Sequence, residues 1–234
     1  MGDETMDLAD GATVELILRD ELARESRVLG SVVPVLRHLL ASEGQRLVND
    51  AILARVRGML SDLAAQLIAA GAGHDPSLRH PDGDASQGRD ALAEALAGDA
   101  ALLAHCHALA AESQLAERLH QHHGIDPVLS PLLQELIASD EPVIAELAMS
   151  ALAAQSRFIQ SQRRMELPLG ELPAELFHSL TASHVHDGGA TRSLLAAYDE
   201  GAGRLGLLAR LVSAMRRGAI AALALDHAGL ALFA

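Results

Sequence analysis

Histidine is the residue type with the most chemical options in this chain: there are twelve in 234 residues, against one cysteine and no lysine. His105 and His107 flank Cys106, a triplet that invites a metal reading. Residues two apart on a helix, however, point about 200° apart, so the three cannot share an ion there. His120 and His123 are three apart and share a face beside Arg118 and Gly124. They suit either a cation-friendly helix C-terminus or a pair of metal ligands. His184 and Asp187, with His186 between them, form the other candidate metal pair, although a closed site also needs a distant ligand.

His178, in the setting Phe-His-Ser-Leu, is the candidate phosphoacceptor, since phosphotransfer bundles expose one histidine on a long helix. The acidic or Asn neighbour usual in such a setting is missing. Protonating all twelve histidines would move the formal charge from −13 to −1, so the set is also a candidate pH switch.

Other chemistries have no carrier. All 18 basic residues are arginine. A phosphate-binding Walker loop and Schiff-base chemistry both require lysine and are excluded. No serine sits in a Gly-x-Ser-x-Gly elbow, and Cys106 lies in an apolar stretch where a thiol behaves as a small hydrophobe. The carboxylate pairs Glu21/Glu25 and Glu166/Glu171 fall on outer, solvated positions. No catalytic residue and no cofactor are expected. The net charge of −13 disfavours nucleic acid, and four aromatic residues make no base-stacking platform. Arg157, Arg163 and Arg164 form the basic cluster in mid-chain, a candidate site for an acidic partner segment or a phosphate.

The elements that must position these residues are helices. Half the residues are hydrophobic, mostly Leu and Ala, and alternating β-branched runs are absent. Asp126-Pro127 is expected to start a short helix, and Ser139-Asp140-Glu141-Pro142 a long one of roughly 24 residues, about 36 Å. On the long one Val143, Ile144, Leu147, Ala148, Ala151, Leu152, Phe158 and Ile159 trace the apolar stripe. Its acids Asp140, Glu141 and Glu146 lie near the N-terminus and its arginines near the C-terminus, as the helix dipole favours. An extended connector, Glu166 to Pro173, leads to a helix over 174–184 with Leu176, Phe177 and Leu180 inward.

The run DPVLSPLLQELIASDEPVIAELAMSALAAQ resembles a HEAT-type helical repeat, in which an Asp-Pro turn precedes a second helix rich in Val, Ala and Leu. The connector Arg164-Met-Glu-Leu-Pro-Leu-Gly-Glu-Leu-Pro173 is similar to members of an uncharacterised bacterial family of all-helical proteins, a domain of unknown function. The resemblance implies an all-α fold. No second copy follows at a fixed period, so the expectation is an irregular helical-repeat (HEAT-like) array or a multi-helix bundle of about 9–11 helices.

Along the rest of the chain, 1–12 reads as a flexible acidic N-terminus and 13–70 as an N-terminal helical piece. Helices are expected over 13–29 and 31–41. A third ends at Gly71, with Ile52, Val56, Leu60, Leu63 and Leu67 as its stripe. The Gly-, Pro- and Asp-rich segment 71–88 reads as a flexible linker and candidate boundary, followed by a helical domain over 89–234. Helices are expected over 89–97 and over 99–123, the latter either continuous or broken near Ser113. After the stop Val185-His-Asp-Gly-Gly come one long and two shorter helices, with Gly201, Gly203 and Gly206 marking a kink or a tight contact. The apolar stretch 218–234 carries Asp226 and His227 and reads as a buried helix, not a membrane span.

With one cysteine and an acidic N-terminus, the expectation is a cytoplasmic protein. The expected function is a non-catalytic protein–protein interaction module, a scaffold or regulatory adaptor. Self-association through the apolar C-terminal helices would make a homodimer. The alternatives are the His178 phosphotransfer bundle and a helical metal or small-ligand binder.

Overall fold

The computed structural model describes residues 50–76 and 85–215, together with Arg19, Ala23 and Arg24. The helices expected over 13–29 and 31–41, and the C-terminal helices expected to pair two copies, lie for the most part or wholly outside the described residues. The chain divides into two compact units, Met1–Gln45 and Arg46–Ala234. In the second, every described element is helical: α1 (Asp50–Gly71), α2 (Ala85–Leu96), α3 (Ala100–His123), α4 (Pro131–Ile137), α5 (Pro142–Arg163), α6 (Ala174–His184), α7 (Gly188–Ala197) and α8 (Arg204–Met215). Single 3-10 turns occupy Leu169–Glu171 and Glu200–Ala202. The protein is an all-α multi-helix bundle.

The helix ends follow from local chemistry. Asp99 caps α3, its Oδ1 accepting from the amides of Ala101 and Leu102 at 2.9 and 3.1 Å. The helix runs unbroken through Ser113, and it ends where Gly124 turns into the left-handed region at φ 67°. The short helix expected from Asp126-Pro127 begins four residues later. Asp126 Oδ1 does accept from Val128 and Leu129, but a helix running on from there would carry Pro131 in its interior, with no N–H to donate and a ring against the preceding turn. Pro131 therefore becomes the first helical residue, capped by Ser130. Pro142 does the same for α5. The stop expected over Val185-His-Asp-Gly-Gly holds, since α6 ends at His184, but α7 begins inside that stretch at Gly188 and not near Thr191, because Asp187 Oδ1 accepts from Gly189 N at 3.0 Å. Gly88, expected outside a helix, lies within α2, a cost of about 1 kcal/mol that a helix tolerates.

Two groups of side chains make the core. Around α1, Val56, Met59, Leu63 and Leu67 are fully enclosed, and α2, α3, α6 and α7 all touch this helix. The three leucines of the 164–173 connector, Leu167, Leu169 and Leu172, are buried as well. In the second group, Leu133 of α4, Ala148 and Ala151 of α5 and Leu211 of α8 meet. The alanines let α8 approach α5 closely. A solenoid repeat touches mainly its chain neighbours, whereas α5 lies against α8 and α1 against α6 and α7. Because α1 shares one compact unit with the helices that follow, segment 71–88 joins helices inside that unit, and the units divide near residue 45. Residues 77–84 of the segment lie outside the described residues.

Of the glycines in the 201–206 stretch, Gly206 makes the tight contact. A Cβ there would overlap the carbonyl oxygen of Glu200 and lie 2.9 Å from Gly201 Cα. Gly206→Ala is therefore expected to cost about 1–3 kcal/mol, the usual range for overfilling a packed contact, and to lower the thermal unfolding midpoint. An unchanged midpoint would contradict the close approach of α8 to the 200–203 turn.

Candidate functional site

The first residue of α8 is the unexpected centre of the bundle. Arg204 is 4% exposed and joins three other segments through its side chain and amide. Its guanidinium makes a two-pronged pair with Glu112 of α3, in which Nη2 meets Oε1 and Nη1 lies 3.3 Å from Oε2. Nε donates to Gln155 Oε1 of α5 at 2.7 Å, and the guanidinium carbon lies 3.8 Å from the ring centroid of Phe158. The amide of Arg204 donates to Glu171 Oε2 of the connector at 2.9 Å. Gln155 in turn donates from Nε2 to the carbonyl of Pro127 at 2.8 Å.

Burial shapes the charges in this cluster. It pushes the Glu112 carboxyl up to about 7, against the opposing pull of Arg204. His105, one α3 face with Glu112, is driven down to about 4 by burial and then by Arg204. His107 is also lowered by burial. Cys106 between them is fully enclosed, and burial raises its thiol to about 12, the setting of an inert core thiol.

A second polar lattice holds the connector. Gln66, on the inward stripe of α1, donates from Nε2 to Leu167 O and accepts at Oε1 from Leu169 N, both at 2.9 Å. Asp62 Oδ2 accepts from Leu167 N at 2.9 Å. Arg55 Nη1 donates to the carbonyl of Gln162 in the last turn of α5 at 2.9 Å. An apolar, proline-containing segment is thus fixed by side-chain amides and carboxylates in place of a helix ladder.

Between these two lattices lies a notch of about 250 Å³, walled by α3, the C-terminal half of α5, the connector and the start of α8. Leu109, Phe158, Leu167 and Leu205 supply apolar surface, and Arg157 and Arg164 stand at it as exposed cations. Arg164 Nε is paired with Glu166 Oε2 at 2.7 Å. Among the described residues Arg157 has no hydrogen-bond or ion-pair partner. Arg157 on α5 and Arg164, the residue just after that helix, both line the notch, whereas Arg163 is exposed but takes no part in it.

Compared with protein-family models, with curated proteins and with solved structures, the chain matches none.

The other candidates are dispersed. His120 and His123 are exposed in the last turn of α3, and His120 Nδ1 lies 3.2 Å from the carbonyl of Ile125, within reach of a donated ring N–H. His184 ends α6 and Asp187 is occupied as the cap of α7. Among the described residues, no group of three or more His, Cys, Asp or Glu side chains is placed to hold a metal ion. His178 is exposed on α6, and its ring contacts are Phe177 at 5.5 Å and Tyr198 at 5.8 Å between centroids. Those two rings stack at 3.9 Å, and Tyr198 Oη donates to Leu172 O at 2.7 Å.

Glu112, Gln155, Arg204 and Gln66 are absent from the sequence-level candidates. A signal existed for three of them: Gln66, Gln155 and Arg204 all sit on apolar stripes, as in Ala151-Gln155-Ile159 and Arg204-Leu207-Leu211. A polar residue on an inward stripe has to find a partner. No helix among the described residues is long and apolar enough to cross a membrane.

Proposed function

We propose that this chain is a non-catalytic, cytoplasmic protein-interaction module, a scaffold or regulatory adaptor, that receives an acidic element of a partner protein at the Arg157 notch. The carrying observation is Arg157 itself: an exposed guanidinium without a partner among the described residues, set beside an apolar notch of about 250 Å³. Pockets for drug-sized ligands span about 300–1,000 Å³, so this one is of a size for a single side chain. An apolar anchor with a charge at its edge is the anatomy of a binding hot spot. Gln66, Glu112, Gln155 and Arg204, deeper in the bundle, are committed to holding its segments together. Cys106, a buried free thiol, is at home in a reducing compartment.

The phosphoacceptor reading of His178 has less support, because the rings it touches, Phe177 and Tyr198, offer no acid or amide to orient a phosphoryl group. The test uses the two arginines as each other's control. On immobilised full chain, Arg157→Glu is expected to reduce retention of partner protein from native lysate by about tenfold or more. Arg163→Glu, equally exposed but off the notch, is expected to leave it unchanged. Equal retention by wild type and Arg157→Glu would overturn the reading.

A further inference from the structure

We propose that the element received at Arg157 is an extended acidic peptide segment, and that it continues past Leu205 into a second notch and ends against Arg210. This rests on the reading of the first notch given above. The second notch, about 410 Å³, is formed by the connector, the 200–203 turn and the start of α8, and it shares Glu171, Arg204 and Leu205 with the first. The two are therefore contiguous. Leu205 lines both and is 47% exposed although it is a large apolar side chain, which we take as the ridge a bound segment would cross.

The sign of the ligand follows from which charges are already used. Glu166 is paired with Arg164, and Glu112 with Arg204. Glu171 Oε2 accepts from the amide of Arg204 at the start of α8, and Glu200 Oε1 accepts from the amide of Ala174 at the start of α6 at 2.9 Å. Every acid at the two notches thus has an internal donor. Arg157 at one end and Arg210 at the other have none among the described residues. A cationic or neutral segment would leave both guanidinium groups unanswered, whereas carboxylates at its two ends would satisfy them. A chain that crosses a ridge with a pocket on either side is best served by extended backbone, whose alternate side chains fall on one face about 7 Å apart. A small acid would fill one notch and leave the other empty, since Arg157 lines only the first and Arg210 only the second.

Random 12-residue peptides displayed on phage would be selected on the full chain, and the recovered sequences remade as dye-labelled synthetic peptides for fluorescence anisotropy. Arg157 and Arg210 are exposed and have no partner among the described residues, so changing them is expected to leave the fold intact. The expected result is enrichment of an apolar residue with Asp or Glu on both sides. Arg157→Glu and Arg210→Glu should each weaken binding about tenfold, and added salt should weaken it further. Loss with Arg157→Glu but none with Arg210→Glu would overturn the extended footprint while leaving the interaction notch standing. Insensitivity to both would remove both readings. Recovery of neutral or basic peptides, or of none, overturns the proposal. So does a dimer in sedimentation that Arg157→Glu dissolves, since a second copy of this acidic chain would then be the occupant.

Discussion

Glu112→Ala should destabilise the bundle by about 3–5 kcal/mol, the cost of leaving one partner of a buried ion pair alone. The stranded group is the guanidinium of Arg204, 4% exposed, which keeps the neutral Gln155, the face of Phe158 and the charge of Glu171 nearby but no carboxylate in direct contact with the guanidinium. Replacing both members, Glu112→Met with Arg204→Met, should recover much of that loss, because two well-packed apolar side chains leave no charge to desolvate. Urea unfolding midpoints across the four-protein cycle would measure this. A double variant as unstable as the single one would mean that the pair does more than neutralise itself.

The same cluster makes a prediction about pH. The folded Glu112 carboxyl titrates at about 7, above its ordinary 4.5, so the native protein binds that proton more tightly than the unfolded chain. This group makes stability fall as pH rises from 4.5 to 7. His105, held at about 4 against an ordinary 6.5, has the opposite sign: its contribution is lost as pH falls from 6.5 towards 4. His107, lowered too, adds to the histidine side. In the wild type the two trends offset between about 4.5 and 6.5. Without Glu112 the histidines act unopposed, and the Glu112→Ala variant should lose stability on acidification more steeply than the wild type. Parallel pH profiles of the unfolding midpoint would contradict the assignment.

Gln66→Ala should be the other large loss. Its amide satisfies both the carbonyl of Leu167 and the amide of Leu169 at 2.9 Å, in a region where Leu167 and Leu169 are 2% and 4% exposed. Each backbone group left without a partner costs about 1–3 kcal/mol. Gln66→Glu keeps an acceptor for Leu169 but loses the donor to Leu167 and sets a second carboxylate beside Asp62 Oδ2, which accepts from Gln66 Nε2 at 2.8 Å. Thermal unfolding would show the loss, and hydrogen exchange at the Leu169 amide would localise it. Exchange no faster than in the wild type would show the connector to be held by its leucines alone. The connector also walls the notch, so both variants should weaken partner binding in proportion to the opening of 164–173.

The helices were legible because their signals are local. The stripe Val56-Leu60-Leu63-Leu67, the Asp99 cap and the prolines at 131 and 142 each act within one or two turns. At Asp126-Pro127 two local signals competed, and the stricter backbone constraint, Pro131, prevailed.

The sequence alone determined that this protein is helical, that its core is built of Leu and Ala, and that lysine chemistry is closed to it, because composition and three- and four-residue spacing act along the chain. Tertiary structure alone decided that Arg204 would meet Glu112, 92 residues away, that Gln66 would hold Leu167 and Leu169 across more than 100, and that Arg157 would stand at a notch while Arg163 would not. Those pairings depend on how the helices lie against one another. A buried charge or amide declares that it needs a partner, and only packing settles which one it gets.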